Sequence, residues 1–141
     1  MLNGSSPANV TLNATATLVL ADGDQLLVWA DLRYDVSDPY AIHATFTPPS
    51  GLQVPWVFAR ELLTNGMQGA AGIGDVTVWG ISPDDQREVY IALRSPTGEA
   101  LFQFSGAELA AFLGRTYVHC LPGDEHVHLD VDSAIERLLA S

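Results

Sequence analysis

Two histidines and a carboxylate stand at alternate positions near the end of the chain, in the segment His126-x-His128-x-Asp130. In an extended segment the three side chains would share one face, which is the arrangement that zinc ligands need. A further ligand is not evident beside them, and only His119 and Cys120 are close enough in sequence to contribute. We therefore interpret the segment as polar surface or as the approach to a helix, and we predict neither a metal nor a cofactor.

Motifs for nucleophilic catalysis and phosphate binding are also missing from the sequence. His43 falls on the polar side of a predicted strand, without the Gly-x-Ser-x-Gly elbow or the Cys–His arrangement that would give it a catalytic partner. The chain has no lysine, which excludes a P-loop and a lysine Schiff base. Asp35 and Asp38 could form a catalytic acid pair, but a turn before Pro39 explains both of them. We expect the protein not to be an enzyme.

The charge of the chain restricts its partners. The 141 residues include 17 Asp and Glu against 6 Lys and Arg, all six being arginine, for a formal net charge of −11. Such a chain repels a polyanion at long range, so nucleic acid is an unfavourable partner.

Cysteine content and hydropathy indicate the compartment. A single cysteine, Cys120, cannot form an internal disulfide, which fits a reducing environment. The first residues lack the basic region of a secretory signal, and the apolar stretch over residues 18–30 is interrupted by Asp22 and Asp24. No apolar run approaches the roughly 20 residues of a membrane-spanning helix. These observations predict a cytoplasmic protein without membrane insertion.

Period-two alternation dominates the first half of the chain. Residues 1–8 have the composition of a flexible N-terminal arm, and residues 9–141 are long enough for a single domain. Four strands follow the arm, with turns predicted at Asp22-Gly23 and Asp38-Pro39 and with Pro55 indicating an edge position or a bulge for the fourth. The strands lie in residues 10–20, 26–34, 40–46 and 52–58. A short helix is predicted over residues 60–65, with Gly66 as a left-handed C-cap and a glycine-rich loop over residues 66–74.

The second half repeats this plan of strands followed by helix. Three strands are predicted over residues 76–81, 88–95 and 99–104, and a helix over residues 107–115. Asp130 can cap a last helix, because Val131, Ile135, Leu138 and Leu139 form an i, i+4, i+7, i+8 apolar stripe. Four strands, a helix, three strands and two helices predict an antiparallel α+β fold.

Several predicted strands carry large apolar groups on both faces. Three short helices cannot cover both sides of seven strands, so the second face must meet another sheet or another chain. We therefore predict a homo-oligomer with interface candidates Trp29, Trp79, Tyr90 and Leu101. An alternative use of Trp29 and Trp79 is an aromatic platform for single-stranded nucleic acid, which the net charge disfavours.

Several separate blocks resemble the SsgA-like family of actinomycete sporulation and cell-division proteins, in the family's order and over most of the chain. Within that family the sequence is most similar to the SsgB type. The blocks are Leu32-Arg33-Tyr34-Asp35, Asp38 to Phe46, Trp56 to Leu63, Gly74-Asp75-Val76 with Val78-Trp79, Ile91 to Leu101, Phe112-Leu113-x-Arg115-Thr116, and Pro122-Gly123-x-Glu125.

The resemblance implies a non-enzymatic role in septum-site selection and septum assembly. It implies recruitment to the cell septum and association with the tubulin-like GTPase FtsZ, together with SsgA-type partners. It further implies a fold similar to that of Whirly-type single-strand-binding proteins, arranged as a homotrimer. No catalytic residue carries over.

Four polar residues in the matched blocks remain after packing is accounted for, and we predict them as partner contacts: Arg33, Asp35, Arg60 and Glu61. The alternative is that they are caps and ion pairs that maintain the fold. An alternative function, suggested by fold analogy alone, is a module that binds single-stranded nucleic acid.

Overall fold

A computed structural model of the chain describes residues 9–81 and 88–129 together with Leu139. The predicted N-terminal arm, the turn at Pro83-Asp84-Asp85 and the last helix after Asp130 lie outside the described residues. Among the described residues, no helix is both long enough and apolar enough to cross a lipid bilayer.

Eight antiparallel strands of the described residues form one sheet, in the order β4-β3-β2-β1-β8-β7-β6-β5. The elements are β1 (Asn9–Val19), β2 (Gln25–Asp35), β3 (Ala41–Thr47), β4 (Val54–Ala59), α1 (Arg60–Met67), β5 (Ala70–Ile73), β6 (Val76–Ile81), β7 (Glu88–Ser95), β8 (Gly98–Ser105), α2 (Gly106–His119) and a short 3-10 helix (Glu125–His128). The predicted antiparallel α+β class is therefore confirmed, and β4, which contains Pro55, lies at one edge as predicted.

The alternation in the sequence separates two faces of the sheet. On β2, Val28, Ala30, Leu32 and Tyr34 are buried, whereas the residues between them are exposed. The buried set joins apolar residues of α1 and α2 in one core cluster, so both helices pack on the same face. We call this the core face and the opposite surface the outer face.

The sheet is strongly curved towards the core face. Phe46 on β3 and Phe102 on β8 stand three strands apart, which is about 14 Å in a flat sheet. Their rings nevertheless stack with centroids 4.1 Å apart. The sheet must therefore curl into a half-barrel, and within the described residues the edge strands β4 and β5 do not pair with each other.

Two predictions for residues 60–74 are wrong. Gly66 is not a left-handed cap, because α1 continues through it to Met67. It is required for close packing, since a Cβ atom at this position would lie 2.5 Å from the Cβ of Val78. The predicted glycine-rich loop contains the strand β5, so four strands rather than three separate α1 from α2. The sequence does not predict this strand, because it consists mostly of Ala and Gly, which have low strand propensity.

The second helix has a clear start signal. The Ser105 hydroxyl accepts a hydrogen bond of 3.3 Å from the backbone N–H of Glu108, as an N-cap residue does. Leu109, Phe112 and Leu113 of α2 are buried in the core. The predicted helix over residues 107–115 is confirmed and extends to His119.

Candidate partner-binding surface

The outer face carries large apolar side chains that no described element covers. Leu27 is 67% exposed and Trp29 is 61% exposed, although both lie within the strand β2. Trp29 stands opposite Thr15 of β1 and Thr47 of β3, whose side chains are too short to enclose an indole ring. The chain therefore presents an exposed aromatic group on a rigid sheet.

The other interface candidates lie on the same face across the second half of the sheet. Trp79 and Tyr90 are paired residues of β6 and β7, and their rings stack with centroids 5.6 Å apart. Leu101 of β8 pairs with Val19 of β1. Burial and the carboxylate of Glu88 raise the pKa of Tyr90. The structure thus brings the four predicted residues, Trp29 included, to one face, with Trp79, Tyr90 and Leu101 half-buried. Whether a second copy covers them stays a prediction.

A polar depression of about 200 Å³ adjoins the aromatic part of the outer face on β1, β2 and β3. Arg33 is exposed there, between Thr11 and His43 in the strand register. The Nε2 atom of His43 lies 2.9 Å from the Oδ2 atom of Asp38. Arg33 makes no ion pair among the described residues. Its guanidinium is accordingly available to an acidic group of a partner.

Asp35 serves the turn that precedes β3. Its Oδ1 atom accepts hydrogen bonds from the backbone N–H of Ser37 at 2.9 Å and from the Ser37 hydroxyl at 2.8 Å. Its carbonyl accepts a third bond, from the backbone N–H of Asp38. The side chain is half-buried, which favours the alternative interpretation of Asp35 as a residue that maintains the fold.

The prediction that Arg60 is an exposed contact is wrong. Arg60 is 1% exposed at the start of α1, whereas its neighbour Glu61 is exposed. The signal that sequence reasoning missed is its phase: Arg60, Leu63 and Met67 lie on one face of α1, and all three are buried. Glu61 therefore remains a candidate contact, but Arg60 does not.

Arg60 is held by α2 and the segment that follows it. Its guanidinium donates to the Cys120 carbonyl at 2.7 Å, to the Thr116 hydroxyl at 3.3 Å and to Glu125 Oε2 at 2.9 Å. The rings of Tyr34 and Tyr117 lie over the guanidinium, with centroids 4.8 and 5.2 Å from Cζ. A cation with hydrogen-bond acceptors and aromatic faces around it is stable inside a protein.

The same contacts shift the ionisation of neighbouring groups. Burial alone would raise the pKa of Glu125, but the hydrogen bonds from Arg60 and from the backbone N–H of Gly123 outweigh it and lower that pKa. Burial, together with the adjacent Cys120, raises the pKa of the Tyr34 hydroxyl, which donates to the Pro39 carbonyl. Glu125 is therefore ionised opposite Arg60, and the pair ties residues 120–125 to α1.

The histidines considered as metal ligands do not lie on an extended segment. His126 and His128 belong to the 3-10 helix, so the shared face expected from their spacing is wrong, and Asp130 lies outside the described residues. Across residues 9–81 and 88–129, no three His, Cys, Asp or Glu side chains group as a metal site. Cys120 is buried beside Arg60.

The chain is similar to known proteins over nearly its whole length. The sequence model of the family described as Streptomyces sporulation and cell division protein, SsgA, matches residues 28–125. A protein of Salinispora tropica named sporulation-specific cell division protein SsgB is 48% identical over 136 residues, covering 95% of each chain. The Streptomyces coelicolor protein of the same name is 46% identical over 123 residues, covering 87% of this chain and 90% of its own.

A solved structure shares the fold. The crystal structure of an SsgA-like sporulation-specific cell division protein from Thermobifida fusca superposes with a TM-score of 0.84 at 39% identity. The match covers 96% of this chain and 98% of that chain. At this identity and coverage, the half-barrel with its two helices is the fold of the relatives as well.

Proposed function

This chain belongs to the SsgA family of sporulation and cell division proteins, and from that premise we propose that it acts in sporulation-specific cell division by recruiting FtsZ to the septum through protein–protein contacts. It works without catalysis, in the cytoplasm and at the septum. SsgA-type proteins are its further partners. The relatives' names support the division role, and the surface described above supports the mode of action.

The observation that carries the proposal is the outer face. Monomeric proteins rarely leave contiguous large apolar groups exposed without a partner, yet Leu27 and Trp29 are both more than half exposed. Arg33 lies four residues further along β2 on the same face, beyond Asp31. Aromatic residues and arginine are both enriched at protein interfaces, so the outer face can meet another copy of the chain through its aromatic residues and a division partner through Arg33.

The acidic surface fits a protein partner better than a nucleic acid. With a net charge of −11, the chain would repel a phosphate backbone, and Arg33 is flanked on its own strand by Asp31 and Asp35. The exposed ring of Trp29 is the observation that favours the alternative, a module for single-stranded nucleic acid with a Whirly-like fold. Saturable oligonucleotide binding at low salt would support that alternative, and its absence would remove it.

A weak binding site gains overall affinity when several copies of it engage one filament at the same time. We propose that the chain forms a homotrimer, with Trp29, Trp79, Tyr90 and Leu101 as candidates for its interface. A symmetric oligomer presents several copies of one contact to the repeated subunits of an FtsZ polymer. The second contact is then intramolecular, so the avidity exceeds the affinity of any single site by orders of magnitude.

Co-sedimentation with polymerised FtsZ tests the proposal. We expect the wild-type chain to pellet with the polymer and Arg33→Ala to pellet less. Arg94→Ala is the matched control, because Arg94 is also exposed on the outer side of the sheet but is already paired with Glu99 at 3.3 Å. Equal pelleting of the two variants would refute the role of Arg33. A wild-type chain that never pellets with FtsZ, with or without purified SsgA-type partner, would refute direct recruitment.

A further inference from the structure

A depression of about 350 Å³ lies between the two edges of the half-barrel, and we call it the seam pocket. It is lined by residues 56–59 of β4, by Leu62 of α1 and by Ile73, Asp75 and Val76 of the β5–β6 hairpin. Its volume lies at the lower end of the range of sites that bind ligands or inserted side chains.

The lining of the seam pocket is mostly apolar and partly exposed. Val57 on β4 is 56% exposed, and Ile73 on the hairpin is 64% exposed. The other aliphatic and aromatic groups Phe58, Leu62 and Val76 are buried. A surface of this kind gains hydrophobic free energy when an apolar side chain of a partner fills it.

The pairing of β4 with β3 decides which backbone groups of β4 point towards the pocket side. The N–H of Arg60 donates to the Tyr40 carbonyl at 2.8 Å, and the same antiparallel register pairs Phe58 with Ile42. Hydrogen bonding in an antiparallel pair alternates along the strand. Every second residue of β4 therefore bonds to β3, and the residues between them direct their backbone groups away from it.

The residues between them are Pro55, Val57 and Ala59. Pro55 has no N–H to direct outward, which is why a proline is tolerated at this position. The N–H and C=O of Val57 and the N–H of Ala59 point outward, and both residues line the seam pocket. Among the described residues these three groups have no hydrogen-bond partner. A strand edge with such groups pairs with an added strand.

Asp75 gives the seam pocket a preference for charge. Its carbonyl accepts a hydrogen bond of 2.8 Å from the N–H of Arg94, so the turn between β5 and β6 is held in place. Its side chain is exposed and makes no ion pair among the described residues. In a chain with a net charge of −11, a carboxylate at the pocket favours a basic group of a partner over an acidic one.

We propose that an extended peptide segment of a partner protein adds to the outward edge of β4, with an apolar side chain in the seam pocket and an arginine or lysine beside Asp75. Main-chain hydrogen bonds to Val57 and Ala59 supply affinity, and the pocket with its carboxylate supplies specificity. The inference goes beyond the proposed function, because it concerns the strand edge rather than the outer face and does not require that the partner be FtsZ.

Fluorescence anisotropy of a fluorescein-labelled peptide with the full-length chain tests the proposal. The probe is a seven-residue peptide of alternating valine and threonine in which arginine replaces the central threonine. Its control carries glutamate in place of the arginine. We expect saturable binding of the arginine peptide and a dissociation constant at least about ten-fold higher for the glutamate peptide.

A variant of Val57 locates the binding edge. Val57→Pro removes the outward N–H and places a proline ring against the added strand, whereas the pairing of β4 with β3 does not use this N–H. Val57→Thr is the matched control, because it keeps the N–H and a β-branched side chain. The dissociation constant of the arginine peptide should rise at least about ten-fold in Val57→Pro and less than about three-fold in Val57→Thr. Circular dichroism and thermal unfolding show whether both variants are folded.

A variant of Asp75 tests the charge preference. Asp75→Asn should weaken binding of the arginine peptide by about two- to five-fold and leave binding of the peptide with threonine in place of arginine unchanged. Asp24→Asn is the matched control, since Asp24 is exposed between β1 and β2, outside the seam pocket, and changes the net charge equally. Equal weakening by the two variants would overturn the role of Asp75.

Amide hydrogen exchange of the wild-type chain, measured by NMR, reads the pairing without any variant. The N–H groups of Val57 and Ala59 should exchange at least about ten-fold more slowly with saturating arginine peptide, because each gains a carbonyl partner. This measurement decides the question if Val57→Pro does not fold.

Three results would overturn the proposal: a wild-type chain that does not bind the arginine peptide, bound peptide that leaves the exchange of Val57 and Ala59 unchanged, or a folded Val57→Pro chain that binds as the wild type does. The first is the result expected if a second copy of the chain already pairs with this edge. FtsZ co-sedimentation reads the proposed function separately, because the synthetic peptide contains no part of a division protein.

Discussion

Replacing Arg60 by alanine should destabilise the fold severely. The substitution removes a guanidinium that is 1% exposed and leaves the Glu125 carboxylate without its partner. It also deprives the Cys120 carbonyl of a donor at 2.7 Å and two tyrosine rings of their cation. All of these losses fall in one buried cluster.

The magnitude follows from the burial of the pair. Removing one partner of a buried ion pair costs about 3–5 kcal/mol, because the other charge stays desolvated. Domains have total stabilities of roughly 5–15 kcal/mol, so this loss is a large fraction of the whole. For a domain of this size it corresponds to a fall of about 10 °C or more in the melting temperature.

Urea unfolding followed by circular dichroism measures the effect, and an unchanged slope shows that the transition is still two-state. Glu61→Ala is the matched control, since Glu61 adjoins Arg60 in sequence but is exposed, and it should cost less than about 1 kcal/mol. Arg60→Met combined with Glu125→Leu should recover part of the loss, because an apolar pair leaves no charge unpaired.

A loss of less than about 1 kcal/mol in Arg60→Ala, or a loss no larger than that of Glu61→Ala, would contradict the structural role of Arg60. An Arg60→Ala variant as stable as wild type that no longer binds the division partner would contradict it as well. That result would return Arg60 to the set of contacts.

Three further predictions concern local packing and ionisation. Gly66→Ala should destabilise the protein by about 1–3 kcal/mol, because the added Cβ atom would lie 2.5 Å from Val78. Gly114→Ala should stabilise α2 by about 0.5–1 kcal/mol, because no atom lies within 4 Å of the added Cβ atom. Equal effects of the two substitutions in urea unfolding would contradict this prediction. The stability advantage of wild type over Glu125→Gln should be full above the ordinary carboxyl pKa of 4.5 and shrink as pH falls through the lowered pKa of Glu125. A difference independent of pH would contradict it. Ser105→Ala should cost about 1 kcal/mol by leaving a backbone N–H of α2 without its cap, and Ser105→Thr, which keeps the hydroxyl, should cost less.

The sequence predicts the fold well where side chains alternate over a long run. Strands β1, β2 and β3 each span seven or more residues, and their apolar phase identifies the buried residues from Val28 to Phe46. It fails at β5, whose four residues Ala70–Ile73 have almost no side-chain pattern. That strand forms because β6 offers it a hydrogen-bonding edge. The pairing depends on tertiary structure, so the local sequence does not indicate it.

The candidate surface is predicted in part for a similar reason. The positions of Trp29, Trp79, Tyr90 and Leu101 on one face follow from their phase in the strands. The burial of Arg60 does not follow from residue type, because its ion-pair partner Glu125 is 65 residues away in sequence. A charged residue in phase with Leu63 and Met67 was the available signal.

The strand order carries a consequence for the folding kinetics. Strands β1 to β4 and strands β5 to β8 are each a meander in which every strand pairs with its sequence neighbour, so loop closure within each half is short. Within the described sheet, the only strand pairing between the two halves is that of β1 with β8, through the paired residues Thr17–Gln103, Leu18–Phe102 and Val19–Leu101. This join closes a long loop for few contacts, so it should form last and limit the rate of folding. Leu18 and Phe102 also line an apolar pocket of about 360 Å³ at this join, and an apolar group bound there would slow the separation of the two meanders.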